Sequence, residues 1–255
     1  FIKTKKRMKK VRAAIVGYGN IGHYVLEALQ AAPDFEIAGV VRRAGAENKP
    51  EELANYAVVK DIKELEGVEV AILCTPTRSV EKYAKEYLAM GINTVDSFDI
   101  HTGIVDLRRT LDATAKEHKA VSIISAGWDP GMFSLNRVYA NAVLPDGRDY
   151  TFWGKGVSQG HSDAIRRIQG VKDARQYTVP VDSALASVRA GENPELTTRQ
   201  KHTRDCYVVA EEGADLKAIE EAIVTMPNYF ADYDTTVHFI SQEELMRDHA
   251  GIPHG

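Results

Sequence analysis

Two aspartates stand where chemistry would be expected. Asp129 lies in residues 121–133 (VSIISAGWDPGMF), where an apolar, β-branched run breaks into small residues, a tryptophan, an acid and a Pro-Gly turn. Residues 121–124 have the length and composition of a buried parallel strand. Asp99 has the same setting one unit earlier, in Asp96-Ser97-Phe98-Asp99-Ile100-His101 after the strand-like residues 92–95. Ligands of open α/β sheets collect just past the carboxyl ends of the strands, so two carboxylates there would grip a substrate ammonium and accept its proton, directly or through water. Either acid alone reads more simply as a turn former or helix cap, Asp129-Pro130-Gly131 being a good turn sequence. As a pair beside a glycine-rich motif they read as catalytic. Trp128 would stand beside Asp129 at the rim of the crevice where such ligands collect.

That motif opens the chain. Val11–Val16 reads as a short buried strand running into Gly17-Tyr18-Gly19-Asn20-Ile21-Gly22, after which residues 24–32 have helical composition. In a strand, G-x-G-x-x-G, helix unit the first glycine makes the tight turn, the second lets backbone amides approach a pyrophosphate and the third lets the helix pack on the strand. The helix N-terminus then faces the phosphates. The next strand, Phe35–Val41, ends at Arg42 and Arg43, where an acid would suit a ribose 2′-hydroxyl and arginine suits a 2′-phosphate. The expected cofactor is therefore NADP, against the plainer reading of a solvated loop.

The elements that position these residues alternate. Residues 51–65 form a charged, weakly helical connection, 68–74 a strand, 79–90 an amphipathic helix with Thr77 or Ser79 as N-cap, and 105–118 a further helix. Such alternation predicts an α/β fold, a Rossmann-type doubly wound parallel sheet. Beyond it the pattern changes: a helix over 133–143, a strand over 150–153, a glycine-studded loop, then alternating runs at 174–181, 197–210 and 235–240 separated by helices at 181–190 and 215–225. This predicts a second, α+β domain with a mainly antiparallel sheet and helices on one face. The boundary is placed at Gly127, giving domains 8–126 and 127–255.

Composition narrows the class. Of the 255 residues 44% are hydrophobic, enough to build a core, and a formal net charge of −4 argues against nucleic-acid or membrane-surface partners. The basic run 3–12 is terminal, with Met8 reading as a start and the residues before it as a leader. Two distant cysteines suit a reducing, cytoplasmic setting, and no apolar run has the length of a membrane helix. The eight histidines show no metal-ligand spacing, and His161-Ser162-Asp163 cannot form a relay because adjacent side chains do not converge; no metal is expected.

The runs SAGWDPGMFSLNRVYA (125–140) and FWGKGVSQGHSDA (152–164), with GYGNIG and the closing GIPHG, resemble the meso-diaminopimelate dehydrogenase family from Met8 to Gly255. The resemblance implies a homodimeric enzyme with a substrate-binding and dimerisation second domain. It would oxidatively deaminate the D-centre of meso-2,6-diaminopimelate with NADP, giving L-2-amino-6-oxopimelate and ammonia, reversibly, in lysine biosynthesis. It places cofactor contacts at Gly17 to Gly22, Arg42, Arg43, Cys74, Thr75, Pro76, Thr77, Ser97, Phe98, Ala126 and Gly127. Substrate contacts fall at Asp99, Trp128, Asp129, Trp153, Gln159, Thr178, Arg204 and His254. Two departures stand out: Val41 replaces a family serine before the arginine pair, and family members continue for several tens of residues past the position of Gly255, adding an asparagine to the distal end of the site. The alternatives are a broad-specificity NADP-dependent D-amino-acid dehydrogenase on the same scaffold and a non-catalytic NADP-binding protein.

Overall fold

The structure, a computed structural model, describes residues 9–252. The chain divides into two compact units between Pro145 and Asp146.

In the first unit β1 (Val11–Val16) leads into α1 (Asn20–Ala31), then β2 (Phe35–Val41), β3 (Val58–Val59), β4 (Val70–Leu73), α2 (Thr77–Ala89), β5 (Asn93–Asp96), α3 (Ile104–Glu117), β6 (Ser122–Ile123) and α4 (Met132–Val143). The weakly helical connection 51–65 is two short 3₁₀ turns around β3. All strands run parallel in the order β3-β2-β1-β4-β5-β6, the doubly wound order, whose direction reverses beside β1. Alternate β1 side chains face opposite sides of the sheet. Ala13 and Ile15 pack with Leu26 and Leu29 of α1, while Ala14 and Val16 share a core with Val80, Ala84 and Leu88 of α2 and Leu107 and Leu111 of α3. Truncating a fully buried leucine there, such as Leu88 or Leu111, would cost about 2–5 kcal/mol.

The run 121–124 is not a buried strand. β6 is a two-residue edge strand paired only with β5, and as the outermost strand it leaves Val121 and Ile123 exposed. Neither Thr77 nor Ser79 caps α2: the N-cap is Pro76, without a side-chain hydrogen bond.

The second unit contains β7 (Gly156–Val157), α5 (Gln159–Arg166), β8 (Val171–Pro180), α6 (Asp182–Arg189), α7 (Thr198–Lys201), β9 (His202–Ala210), α8 (Leu216–Val224), β10 (Asp234–Phe239) and α9 (Gln242–Asp248). Residues 150–153 are not a strand; the strand at this edge is β7. The sheet order is β10-β9-β8-β7, with β7, β8 and β9 antiparallel and β10 parallel to β9. Helices cover both faces, against the expectation of one. Ala174, Cys206 and Val208 pack with Ile165 of α5 and Ile219 and Ile223 of α8, whereas Tyr177 and Tyr207 alternate to the other side and meet His249 just after α9.

The observed division falls after α4, and the expected boundary before it. Met132 and Phe133 donate their N–H groups to the carbonyls of Gly127 and Trp128, at 3.1 and 2.8 Å, so the first turn of α4 is tied to the loop that follows β6.

Candidate active site

The glycine turn after β1 is built as its spacing requires. Gly17 has φ +92°, and a Cβ there would lie 2.5 Å from the Cys74 carbonyl oxygen; one on Gly22 would lie 2.4 Å from the Gly17 oxygen. Those two glycines close the turn against β4 and α1. Gly19 has nothing within 4 Å of its Cβ position, so its face is open to a ligand. Residues 20–22 are the first turn of α1, and its leading amides lie beside that open face.

Arg42, at the end of β2, is half-buried, and its Nη1 is buried without a hydrogen-bond partner; Arg43 is exposed. A buried guanidinium nitrogen left unpaired costs free energy unless an acceptor arrives, and a phosphate is such an acceptor. Tyr18 donates to Glu52 Oε1 at 3.3 Å, and burial, then Glu52, pushes its phenol up to about 12. On the neighbouring loop the Thr75 hydroxyl is buried and unpartnered, Cys74 is a thiol pushed up to about 12 by burial, and Pro76 leads into α2. Thr77, expected as a cap, instead accepts the Asp99 N–H at 3.1 Å.

The two acids occupy the expected loops, Asp99 after β5 and Asp129 after β6. Asp99 is exposed and in no ion pair among the described residues. The Asp129 side chain is only 8% exposed and takes hydrogen bonds on Oδ1 from Arg137 Nη2 at 3.0 Å and Ser134 Oγ at 3.3 Å, both from α4. The turn between them is specified by Gly131: φ is +138°, and a Cβ would fall 1.7 Å from the Gly127 oxygen, so no other residue fits. Trp128 is exposed and stacks on Phe133, centroids 5.5 Å apart. Ser97, Phe98, Ala126 and Gly127 lie between β5 or β6 and these acids. Asp96, which the sequence reading passed over, joins their loops: Oδ1 accepts N–H groups from both Phe98 and Ser125 at 3.0 Å.

In the second unit Thr178 and Arg204 are register partners on β8 and β9, and Arg204 Nη1 donates to the Thr178 hydroxyl. Arg204 is 5% exposed, its Nε has no partner, and no carboxylate pairs with it among the described residues. Its guanidinium lies on the Tyr233 ring. Burial pulls the guanidinium below its ordinary value, and Tyr233 opposes that shift. Two histidines, His202 buried and His161 half-buried, are held toward the neutral form in its field. His161, bonded to the Ser158 hydroxyl at 2.7 Å, and His202 are each held down to about 4 by burial first and then by Arg204. His202 Nε2 accepts the Trp153 N–H at 2.9 Å and so fixes the backbone of that tryptophan. Gln159 is exposed at the start of α5, and His254 lies outside the described residues.

Tyr233 and His202 carry no motif and leave nothing for sequence reasoning to find, whereas Arg137 and His161 lie inside the runs 125–140 and 152–164, where no site role is read for them. Asp96 left one signal, an acid closing an apolar strand at a position of buried parity. Among the described residues no cluster of His, Cys, Asp and Glu fits a metal ion, and no helix is long and apolar enough to cross a membrane.

A doubly wound sheet with an open glycine turn at its switch point defines a dinucleotide-binding protein. Residues 11–125 match the oxidoreductase family with an NAD-binding Rossmann fold, which sets the class as nicotinamide-dependent oxidoreductase. Residues 127–255 match the diaminopimelic acid dehydrogenase C-terminal domain. Over 241 residues the chain is 60% identical to the meso-diaminopimelate D-dehydrogenase of Bacteroides fragilis, covering 94% of this chain and 75% of that protein. Among solved structures, the diaminopimelate dehydrogenase of Corynebacterium glutamicum in complex with DAP is similar at TM-score 0.85 and 41% identity, over 97% of this chain and 76% of that one. An engineered D-amino acid dehydrogenase bound to NADP+ is similar at 0.79 and 39%, over 96% and 76%. The chain belongs to the meso-diaminopimelate D-dehydrogenase family.

Proposed function

We propose that this protein oxidatively deaminates the D-centre of meso-2,6-diaminopimelate, giving L-2-amino-6-oxopimelate and ammonia, and runs in reverse as a reductive amination. The observation that carries this reading is Arg204: a buried guanidinium with no acid partner, fixed by Thr178 and Tyr233, is a receptor for a carboxylate. A two-ended diamino diacid offers that second carboxylate, and a simple amino acid does not. For the same end of the substrate the family resemblance adds His254, Gln159 and Trp153 to Arg204 and Thr178.

NADP is the proposed cofactor. Arg42, with its unpaired Nη1, and Arg43 would receive the 2′-phosphate, and the open face of Gly19 with the α1 N-terminus would receive the pyrophosphate. Bound there, the cofactor supplies the hydride acceptor. Asp129, oriented by Arg137 and Ser134, anchors the reacting ammonium, and exposed Asp99 takes its proton and activates water. A homodimer is proposed as well: α4 exposes Leu135, Val138, Tyr139 and Val143, and exposed apolar stripes of this kind serve as interfaces.

The test is to mix the protein with NADP+ and a panel of D- and L-amino acids and follow NADPH formation. Turnover confined to meso-diaminopimelate supports the reading, broad D-amino-acid turnover replaces it with a general D-amino-acid dehydrogenase, and no turnover on any of them overturns it.

A further inference from the structure

Asp96 is the last residue of β5, 3% exposed, and in no ion pair among the described residues. Its Oδ1 accepts two backbone N–H groups at 3.0 Å each, from Phe98 and from Ser125. These donors are on different loops. Phe98 immediately precedes Asp99, and Ser125 begins the segment that reaches Asp129 four residues later. The Asp96 carbonyl makes a third link by accepting the Ala126 N–H at 2.7 Å.

These bonds form where the sheet has run out. The ladder between β5 and β6 consists of Thr94 with Ser122 and Val95 with Ile123, and it ends before the loops diverge. Ser125 adopts φ +55°, a conformation a non-glycine residue rarely takes unless its surroundings hold it there. Its own hydroxyl is buried without a partner, so the described hold on Ser125 is the amide bond to Asp96. The other carboxylate oxygen, Oδ2, is also buried and unpartnered. A carboxylate buried in this way is costly to a fold that needs only a strand end. The asymmetry is informative: one oxygen holds both loops, and the other makes no protein contact that would account for the charge.

We infer that Asp96 is a positioning residue, which sets the placement of Asp99 relative to Asp129 by drawing both acid-bearing loops onto one carboxylate oxygen. The inference rests on the proposed roles of those two acids. The Phe98 side chain, buried in the core of the first unit, anchors one loop from below. The Asp99 N–H bond to Thr77 Oγ1 anchors it from α2. The loop after β6 lies at the sheet edge, so it depends more on Asp96.

The test compares Asp96→Ala with Asp96→Asn in the full chain, by amide hydrogen exchange and by steady-state turnover. Asparagine keeps an oxygen at the Oδ1 position and so keeps both bonds, whereas alanine removes them. In Asp96→Ala, exchange should rise together in peptides spanning 97–99 and 124–127, by roughly tenfold or more, while peptides of β1 and α1 stay unchanged. Its kcat should fall by about the same factor. In Asp96→Asn both quantities should return to within about threefold of wild type, as expected when the shared acceptor and not the charge does the positioning. Exchange that rises in one loop alone, or in neither, overturns the inference, as does exchange that rises throughout the unit. Should Asp96→Ala fail to fold, Asp96→Asn decides alone: a folded variant that has lost turnover overturns the inference, and one that keeps turnover with both loops protected supports it. A wild-type protein that turns over no amino acid would remove the proposed function, and the exchange result would still decide whether Asp96 couples the loops.

Discussion

The guanidinium carbon of Arg204 lies 3.8 Å from the centroid of the Tyr233 ring, so the buried cation of the second unit rests on an aromatic face and not on a carboxylate. A paired acid would neutralise the arginine and block an incoming anion. A π face orients it and leaves its charge available.

Arg204→Met should therefore lower kcat/KM for meso-diaminopimelate by roughly 30- to 5000-fold, the range for a desolvated charge pair, while an apolar D-amino acid is spared or improved. Tyr233→Leu should act on the same substrate more mildly, raising KM about 2- to 30-fold with little change in kcat, because it loosens the guanidinium without removing it. Equal losses on both substrates in either variant would make the cluster a support of the fold.

Asp99→Asn and Asp129→Asn should both lower kcat/KM strongly, with NADPH affinity within about threefold of wild type. They should differ in stability. Asp129 is buried against Arg137 and Ser134, so its neutralisation should cost about 1–3 kcal/mol in a denaturant titration, whereas exposed Asp99 should change stability by less than about 0.5 kcal/mol. Wild-type turnover in both variants would return the two acids to the role of turn formers.

The legible parts of this fold are those that local physics dictates. The apolar run of β1, the glycine spacing after it and the strand–helix alternation over 11–125 are period and turn chemistry, and the Rossmann-type order follows from them. Edges are less legible. Residues 121–124 have the composition of a buried strand, yet which strand ends up outermost is set by the order of the whole sheet. Thr77 has the right type for an N-cap, but its hydroxyl is taken by the Asp99 amide from a loop 22 residues away. Residues within motifs can be singled out from the sequence, and those that hold their surroundings cannot: Tyr233, His202 and Asp96 act through contacts between distant segments that leave no spacing in the sequence.

Cofactor choice should divide unequally between the two arginines. Arg42 has a buried, unpaired Nη1 and Arg43 is exposed. Arg42→Ala should weaken NADP+ by about 1.5–3 kcal/mol and Arg43→Ala by less than about 1 kcal/mol, with NAD+ affected little by either. Titration calorimetry with both dinucleotides reads this directly. Equal NAD+ and NADP+ affinity in the unmodified protein would sink the assignment.

Acid should destabilise the second unit earlier than its carboxylates alone would. His161 and His202 are held down to about 4 in the folded chain, against about 6.5 when unfolded. Between those values the unfolded chain takes up protons that the folded chain refuses, so stability is full above about pH 6.5 and falls as pH drops toward 4. Each histidine contributes a slope of about 1.4 kcal/mol per pH unit, so between pH 6.5 and 5, before most carboxylates titrate, the pair should remove about 3–4 kcal/mol. His202→Gln keeps an acceptor for the Trp153 N–H and cannot titrate, so it should remove about half of that slope without loosening the tryptophan. The measurement is urea unfolding followed by tryptophan fluorescence at pH 7, 6 and 5. If the wild-type free energy is flat over that range, or His202→Gln leaves the slope unchanged, the two histidines do not stay neutral beside Arg204 in the folded chain.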